Sequence, residues 1–309
     1  MFVLERIKEY ARTDRIALIN REESVSFAQL EAHSEAFAYW LLERFGADRT
    51  PVVIYGHRES RFLPCIFGAL KSGRAYVPVD TSVPPGRFAE IIADIEPKVI
   101  VDFSGTLPAS GAVVLDGEAL KQILGTFPKT EVSKDIWVSG NTPAYILFTS
   151  GSTGKPKGVP ITAANLTNFY EGLIPFMGEK EAGVILNQIS YSFDVSCCSI
   201  YAGLSRGMTL FTIDKEMVED MGALFDYMKK SHLTMWVSTP SFAEICVQSK
   251  AFSSELLPCL HKFLFCGEVL THKLCDQLAE RFPQAQVLNT YYRGDRIGNG
   301  GYCNRRNAP

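Results

Sequence analysis

Short runs of apolar, largely β-branched residues alternate along the chain with stretches whose apolar positions recur at helical spacing. This is the arrangement expected of βαβ units built on parallel sheets. Ser26-Phe27-Ala28-Gln29 has the Ser-x-x-Gln form of a capping box. It predicts a helix that carries Leu30, Phe37, Leu41 and Phe45 on one face and stops at Gly46. Residues 51–55 predict a buried strand, and 62–71 a helix ending before Gly73. Residues 76–79 and 99–103 predict two more strands, separated by a helix that Pro84-Pro85 starts. From Ala144 the alternation becomes regular. The run 144–148 is apolar throughout, which predicts a strand covered by helices on both faces. Further strands are expected at 184–188, 208–213, 234–237, 262–265 and 287–291, each separated from the next by a helical pattern, and right-handed crossovers would wind them into a doubly wound parallel sheet. No internal repeat or low-complexity linker interrupts the series. The stretch 104–140 is weakest in pattern and is the expected boundary between subdomains.

Residues 292–309 depart from this style. They hold four Arg and four Gly with neither helical nor strand period, too little apolar surface to offset the entropy of ordering, so a disordered tail is expected there. An RNA-binding role for such a tail lacks the stacking repeat it would need.

Composition narrows the class. A length of 309 residues suggests about two units. With 46% hydrophobic and 21% charged residues the chain is a globular one, and a net charge of −3 provides no basic field for nucleic acid. Apolar runs fall short of the ~18–20 residues that span a bilayer, and the first residues carry mixed charge instead of a secretory leader. Eight cysteines without a Cys-x-x-Cys pair do not make a disulfide scaffold or a metal site, and neither Cys197-Cys198 nor Cys259-x-His261 has a second pair to complete one. A soluble, cytoplasmic α/β protein is the expectation, with no membrane insertion and no nucleic-acid partner.

Candidate chemistry lies directly after the apolar run. Thr149-Ser150-Gly151-Ser152-Thr153-Gly154-Lys155-Pro156-Lys157-Gly158 combines three glycines, four hydroxyls and two lysines at the end of a strand. Glycines let successive N–H groups converge on an anion, and the hydroxyls and lysines add donors and charge, a make-up suited to polyphosphate. A Gly/Ser linker is the competing reading, but linkers do not carry paired lysines behind a buried strand. The loop is not a Walker A motif, because five residues after Gly151 Pro156 stands where that motif needs its second glycine, and no dinucleotide fingerprint occurs elsewhere.

Ile146 through Val159, read as Ile-Leu-Phe-Thr-Ser-Gly-Ser-Thr-Gly-Lys-Pro-Lys-Gly-Val, resembles the signature loop of the adenylate-forming superfamily, which includes acyl-CoA synthetases, luciferases and peptide-synthetase adenylation domains. Val53-Ile54-Tyr55-Gly56-His57, Tyr76-Val77-Pro78-Val79-Asp80, Leu186-Asn187-Gln188, Tyr191-Ser192-Phe193-Asp194-Val195-Ser196, Ser238-Thr239-Pro240-Ser241-Phe242 and Phe265-Cys266-Gly267-Glu268-Val269-Leu270 are most similar to the D-alanine–D-alanyl carrier protein ligases. These segments run in order through residues 1–291, an AMP-binding N-terminal region in this reading. The resemblance implies ATP-dependent activation of D-alanine as D-alanyl-AMP. The aminoacyl group then passes to the phosphopantetheine thiol of a carrier protein, for D-alanylation of teichoic acids in the Gram-positive cell wall.

The resemblance also implies residue roles. Thr149, Ser150, Gly151, Ser152, Thr153, Gly154, Lys155 and Lys157 would hold the ATP phosphates, with Mg²⁺ bound along with ATP. Gly267, Glu268, Asn289, Thr290 and Tyr291 would face the adenine. Asp194 would hold the substrate ammonium, with Phe193 and Cys266 shaping the pocket for a methyl side chain. By residue type alone, Asp194 is equally a helix N-cap, Cys266 a packed core thiol and Tyr291 a buried strand aromatic. No histidine is placed to activate Cys266, so it is not read as a nucleophile, and no catalytic or metal-ligating residue is assigned.

After Asn289-Thr290-Tyr291 such ligases continue Gly-Pro-Thr-Glu-Ala-Thr, whereas this chain continues Tyr292-Arg293-Gly294-Asp295. The resemblance then implies that the α-phosphate threonine, the Mg²⁺-bearing glutamate, the ribose aspartate, the hinge and the mobile C-terminal domain with its adenylation lysine are missing. The expectation is a truncated or frame-shifted sequence that binds nucleotide weakly and does not form D-alanyl-AMP at a useful rate. An adenylation module for another amino acid and a non-catalytic nucleotide-binding remnant are the alternatives.

Overall fold

The capping box at Ser26 forms as its spacing predicts. Ser26 Oγ accepts from Gln29 N at 3.1 Å and Gln29 Oε1 from Ser26 N at 2.8 Å, satisfying amides that a helix start leaves unpaired. The computed structural model describes residues 1–309 except 22, 108–110, 127–130, 151–154, 179–181, 294–295 and 299–309. Its elements begin α1 (Phe2–Tyr10), β1 (Ile16–Asn20), β2 (Glu23–Ser26), α2 (Phe27–Phe45), β3 (Val52–Tyr55), α3 (Phe62–Lys71), β4 (Tyr76–Val79), α4 (Pro85–Ile95), β5 (Val99–Asp102), β6 (Val113–Leu115) and α5 (Gly117–Thr126). They continue β7 (Pro143–Ser150), β8 (Pro156–Thr162), α6 (Ala163–Met177), β9 (Val184–Asn187), β10 (Thr209–Thr212), α7 (Met221–Met228), β11 (Met235–Ser238), α8 (Pro240–Cys246), β12 (Lys262–Phe265), α9 (His272–Arg281), β13 (Gln286–Asn289), β14 (Tyr291–Arg293) and β15 (Arg296–Gly298).

The chain forms two compact units. The first comprises 1–15, 25–167 and 190–194, the second 16–24, 168–189 and 195–309. The expected class is observed, parallel sheets flanked by helices, with the described strands in a six-stranded sheet, a seven-stranded sheet and a two-stranded pair and not in one continuous doubly wound sheet. The sequence places an expected subdomain boundary at 104–140. That stretch lies inside the first unit, because Val113, Val114 and Leu115 of β6 pair in parallel with Val99, Ile100 and Val101 of β5.

The sheet of the first unit has the order β6-β5-β3-β4-β7-β8. It is parallel from β6 to β7, and β8 returns antiparallel along β7. Val53, Val77, Val79, Ile91 and Ile100 form one of its cores. The coverage expected on both faces of 144–148 holds only for Ala144 and Tyr145; Ile146, Leu147 and Phe148 are half-buried. The reason is pairing. β7 meets β4 at Tyr145 alone and spends the rest of its length on the edge strand β8.

All of α3 is buried, including Lys71 at its last turn. Lys71 Nζ lies 2.7 Å from Glu35 Oε1 and 2.8 Å from Glu31 Oε2, both on α2, and Glu35 Oε2 accepts from Val132 N at 2.7 Å. Burial raises the Glu31 carboxyl above its ordinary range despite the nearby ammonium.

The second unit carries the order β13-β12-β11-β9-β10-β1-β2, parallel from β13 to β1. Its core is aromatic, with Trp236, Phe242, Phe252, Phe263 and Phe282 in contact. Predicted strands match within two residues; the last, expected to reach 291, ends at Asn289, and Tyr291 opens a separate antiparallel pair, β14 with β15. Within the tail expected to be disordered, 292–293 and 296–298 belong to this pair, while 294–295 and 299–309 lie outside the described residues. No helix among the described residues is long and apolar enough to cross a membrane.

Candidate functional site

In both units the chemistry-bearing residues collect just beyond the carboxyl ends of parallel strands, where open α/β sheets bind ligands. The phosphate-loop candidate connects β7 to β8. Thr149 pairs with Lys157 and Ser150 with Pro156, so the strands that flank the candidate run antiparallel. Thr149, Lys155 and Lys157 are exposed. Gly151, Ser152, Thr153 and Gly154 lie outside the described residues.

Also in the first unit, polar groups cluster past the ends of β3 and β4. Asp80 Oδ2 lies 2.6 Å from His57 Nδ1 and accepts from Ser190 Oγ at 2.6 Å, and Asp80 Oδ1 accepts from Ser82 N at 2.9 Å. Burial alone would raise the Asp80 carboxyl, but the bonds from His57, Ser190 and Ser82 outweigh it and hold the group well below the usual carboxylate range. His57 N donates to Glu59 Oε2 at 2.8 Å, and burial raises the Glu59 carboxyl. A Cβ at Gly56 would sit 2.8 Å from Phe103 Cδ2 and 3.0 Å from Phe103 Cβ, besides 2.7 Å from Glu59 Oε2, so this close approach favours glycine.

Ser190→Ala is expected to cost about 1.5–3 kcal/mol at neutral pH, the scale of a hydrogen bond to a charged group. Because the Asp80 carboxyl is lowered in the folded state, its contribution is complete above the ordinary carboxylate range. It is lost as pH falls through the lowered value. The stability gap between the two proteins should hold down to about pH 4 and shrink below it. Urea unfolding across pH checks this, and a gap undiminished in acid would count against a carboxylate acceptor.

Asp194 is half-buried and opens the 3₁₀ turn Asp194–Ser196, while Phe193 beside it is 63% exposed. The expected pocket partners Asp194 and Cys266 belong to different units.

In the second unit, β12 and β13 run in parallel with Phe265 opposite Asn289, which brings Cys266, Gly267, Glu268, Asn289 and Thr290 to one sheet end. Cys266 is 6% exposed and donates its backbone N–H to Ser238 O at 3.3 Å. Gly267 has φ +89°, a left-handed conformation that turns the chain sharply off the strand. The exposed Glu268 carboxylate accepts from Ser241 N and Ser241 Oγ, both at 2.9 Å, and so bonds the first turn of α8. Thr290 spends its hydroxyl on Phe265 O at 3.1 Å. Asn289 Oδ1, by contrast, is buried without a hydrogen-bond partner among the described residues. Tyr291 begins β14. Among the described residues no three His, Cys, Asp or Glu side chains are grouped to hold a metal ion.

His57, Asp80, Ser190 and Ser192 had no role in the sequence reading. Two of them were visible in kind: a polar residue directly behind a buried run, as in Val-Val-Ile-Tyr-Gly-His and Tyr-Val-Pro-Val-Asp, marks a strand's carboxyl end. Their convergence on Ser190, distant in sequence, was not.

Residues 5–292 match the family described as AMP-binding enzyme. The D-alanine–D-alanyl carrier protein ligase of Bacillus licheniformis is 37% identical over 301 residues, covering 94% of this chain, and that of Bacillus thuringiensis (strain Al Hakam) is 36% identical over 294 residues, again covering 94%. The chain spans 58% of the length of each of these relatives. Among solved structures, the nonribosomal peptide synthetase FmoA3 bound to alpha-methyl-L-serine-AMP superposes with a TM-score of 0.85 at 21% identity, over 98% of this chain and 34% of that one. The N-terminal subdomain of Klebsiella oxytoca NpsA with 3-hydroxybenzoyl-AMSN gives 0.80 at 21%, over 97% and 74%. These two likenesses concern the fold.

Proposed function

We propose, on the premise that the chain belongs to the AMP-binding enzyme family, that it is the part of a D-alanine-activating ligase that binds ATP and the amino acid. The observation that carries this is the 36–37% identity over 94% of the chain to ligases that load D-alanine on a carrier protein. In the reaction, the D-alanine carboxylate attacks the α-phosphorus of ATP and pyrophosphate leaves. The carrier's phosphopantetheine thiol then attacks the acyl carbon and AMP leaves. D-Alanylation of teichoic acids in the cell wall is the destination we infer, with the ligase in the cytoplasm, where ATP is available.

Within that reaction the chain's own groups mostly position and neutralise, since the bonds that change belong to the substrates. The hinge of β7 and β8, with Lys155 and Lys157, is assigned the leaving phosphates. Asp194 is assigned the ammonium of D-alanine, and Cys266 and Phe193 the wall against its methyl group. The carboxyl ends of β12 and β13 are assigned the adenine. Asn289 supports this with a buried acceptor that has no partner among the described residues, whereas Glu268 and Thr290 already bond backbone and would act there by shape. Mg²⁺ would accompany ATP as its counter-ion, and no step is assigned to it.

Calorimetry of the chain with AMP and with non-hydrolysable D-alanyl and L-alanyl adenylate analogues tests this reading. The D-alanyl analogue should bind tightest. Asp194→Asn should weaken it by about thirtyfold, the scale of a lost charge-assisted contact, and leave AMP unaffected. Equal affinity for AMP and the D-alanyl analogue would defeat the amino-acid assignment.

A further inference from the structure

Residues 190–194 form a short segment that belongs to the first unit, while its flanks, 168–189 and 195–309, belong to the second. Three consecutive residues of it are pinned. Ser190 Oγ donates to Asp80 Oδ2 at 2.6 Å, the Tyr191 ring meets the Phe62 ring edge-on with centroids 5.0 Å apart, and Ser192 Oγ donates to Pro78 O at 3.1 Å. Phe193 N donates to Ser190 O at 3.0 Å and closes a turn, and Asp194 follows directly. Asp80 is itself held from two other directions, by His57 Nδ1 and by Ser82 N, and His57 is fixed through Glu59.

We propose that Asp80 and His57 are positioning residues for the amino-acid substrate, acting through Ser190 to set where Asp194 presents its carboxylate; this rests on the reading of Asp194 as the ammonium partner. The chemical logic is geometric. An ammonium contact is worth its full strength only if the carboxylate is already aimed, and a free turn would have to be ordered on binding. A carboxylate that already accepts from Ser82, His57 and Ser190 is a stiffer anchor than a single hydroxyl–carbonyl bond, because charge-assisted bonds are shorter and stronger. The two residues between Ser190 and the turn's end transmit that anchoring to Asp194 without touching substrate.

The test compares the chain with its Ser190→Ala, Ser190→Thr and Asp194→Asn variants, by amide hydrogen exchange and by calorimetry with AMP and the D-alanyl adenylate analogue. Ser190→Ala should speed exchange in 190–196 beyond the uniform rise that its lower global stability gives the core amides, and weaken the analogue about tenfold with AMP unchanged, while Ser190→Thr, which keeps the hydroxyl, restores both. Unchanged analogue affinity in Ser190→Ala, despite loosened exchange, overturns the proposal and leaves the Asp194 reading intact. An equal loss for AMP and the analogue also overturns it, marking Ser190 as merely structural. Indifference of the analogue to Asp194→Asn instead defeats the underlying reading, and this proposal with it.

Discussion

Replacing Lys71 with methionine is expected to lower the unfolding free energy by about 3–5 kcal/mol, because it strands two carboxylates in the interior with no counter-charge. Lys71 is fully buried, and its ammonium lies within hydrogen-bond distance of both Glu31 and Glu35. Methionine nearly matches its volume, so packing should survive and the loss should be electrostatic. Glu35 cannot turn away to water, since its second oxygen holds Val132 N. The sign with pH follows from Glu31. Its carboxyl is raised in the folded state, so protonation favours folding, and the penalty of the variant should shrink as pH falls through that raised value. A triple variant with Glu31→Gln and Glu35→Gln added should recover most of the loss, because the remaining amides can bond without carrying charge. Urea unfolding of the three proteins at neutral and acid pH measures all of this, and a penalty independent of pH would argue for a packing defect.

Trp236→Ala should cost a similar ~3–5 kcal/mol, this time as a cavity. The indole is fully buried and stacks on Phe242 with centroids 5.5 Å apart at 17°, with Phe252 edge-on at 5.1 Å and Phe263 at 5.9 Å. A cluster of rigid rings collapses poorly into a vacated space, which places the loss toward the upper end. Trp236 Nε1 also donates to Ser238 Oγ at 2.7 Å. Trp236→Phe retains most of the ring volume and loses that bond, for about 1–2 kcal/mol. Ser238 ends β11 and its carbonyl receives Cys266 N, so the damage reaches the sheet end that carries the candidate pocket wall. Calorimetric unfolding gives both stabilities. Should alanine cost less than about 2 kcal/mol, the ring cluster would have to be plastic, contrary to its packing.

Much of the fold was readable before any coordinates. Strands such as Val52–Tyr55 and Tyr76–Val79 announce themselves because buried parallel strands need unbroken apolar runs, and Ser26, Gly46 and Pro84-Pro85 mark helix ends by local chemistry. The edge strand β8 escaped notice because glycine, proline and lysine suit a loop as well as an exposed edge, and its pairing is decided by β7. The phosphate-loop candidate stands out in the sequence by residue types that suit an anion, whereas Asp194 and Cys266 are singled out only through the family resemblance.

The sequence by itself determined the family, the class of fold and the residue types at the strand ends, because each depends on contiguous segments. Tertiary structure decided how those segments are used. It divided the strands among separate sheets, committed Glu268 and Thr290 to backbone partners, and placed Lys71 between two glutamates of another helix. It also brought Ser190 to Asp80 across 110 positions of chain. Such pairings rest on which surfaces are buried together, and burial is a property of the folded chain that no local window contains.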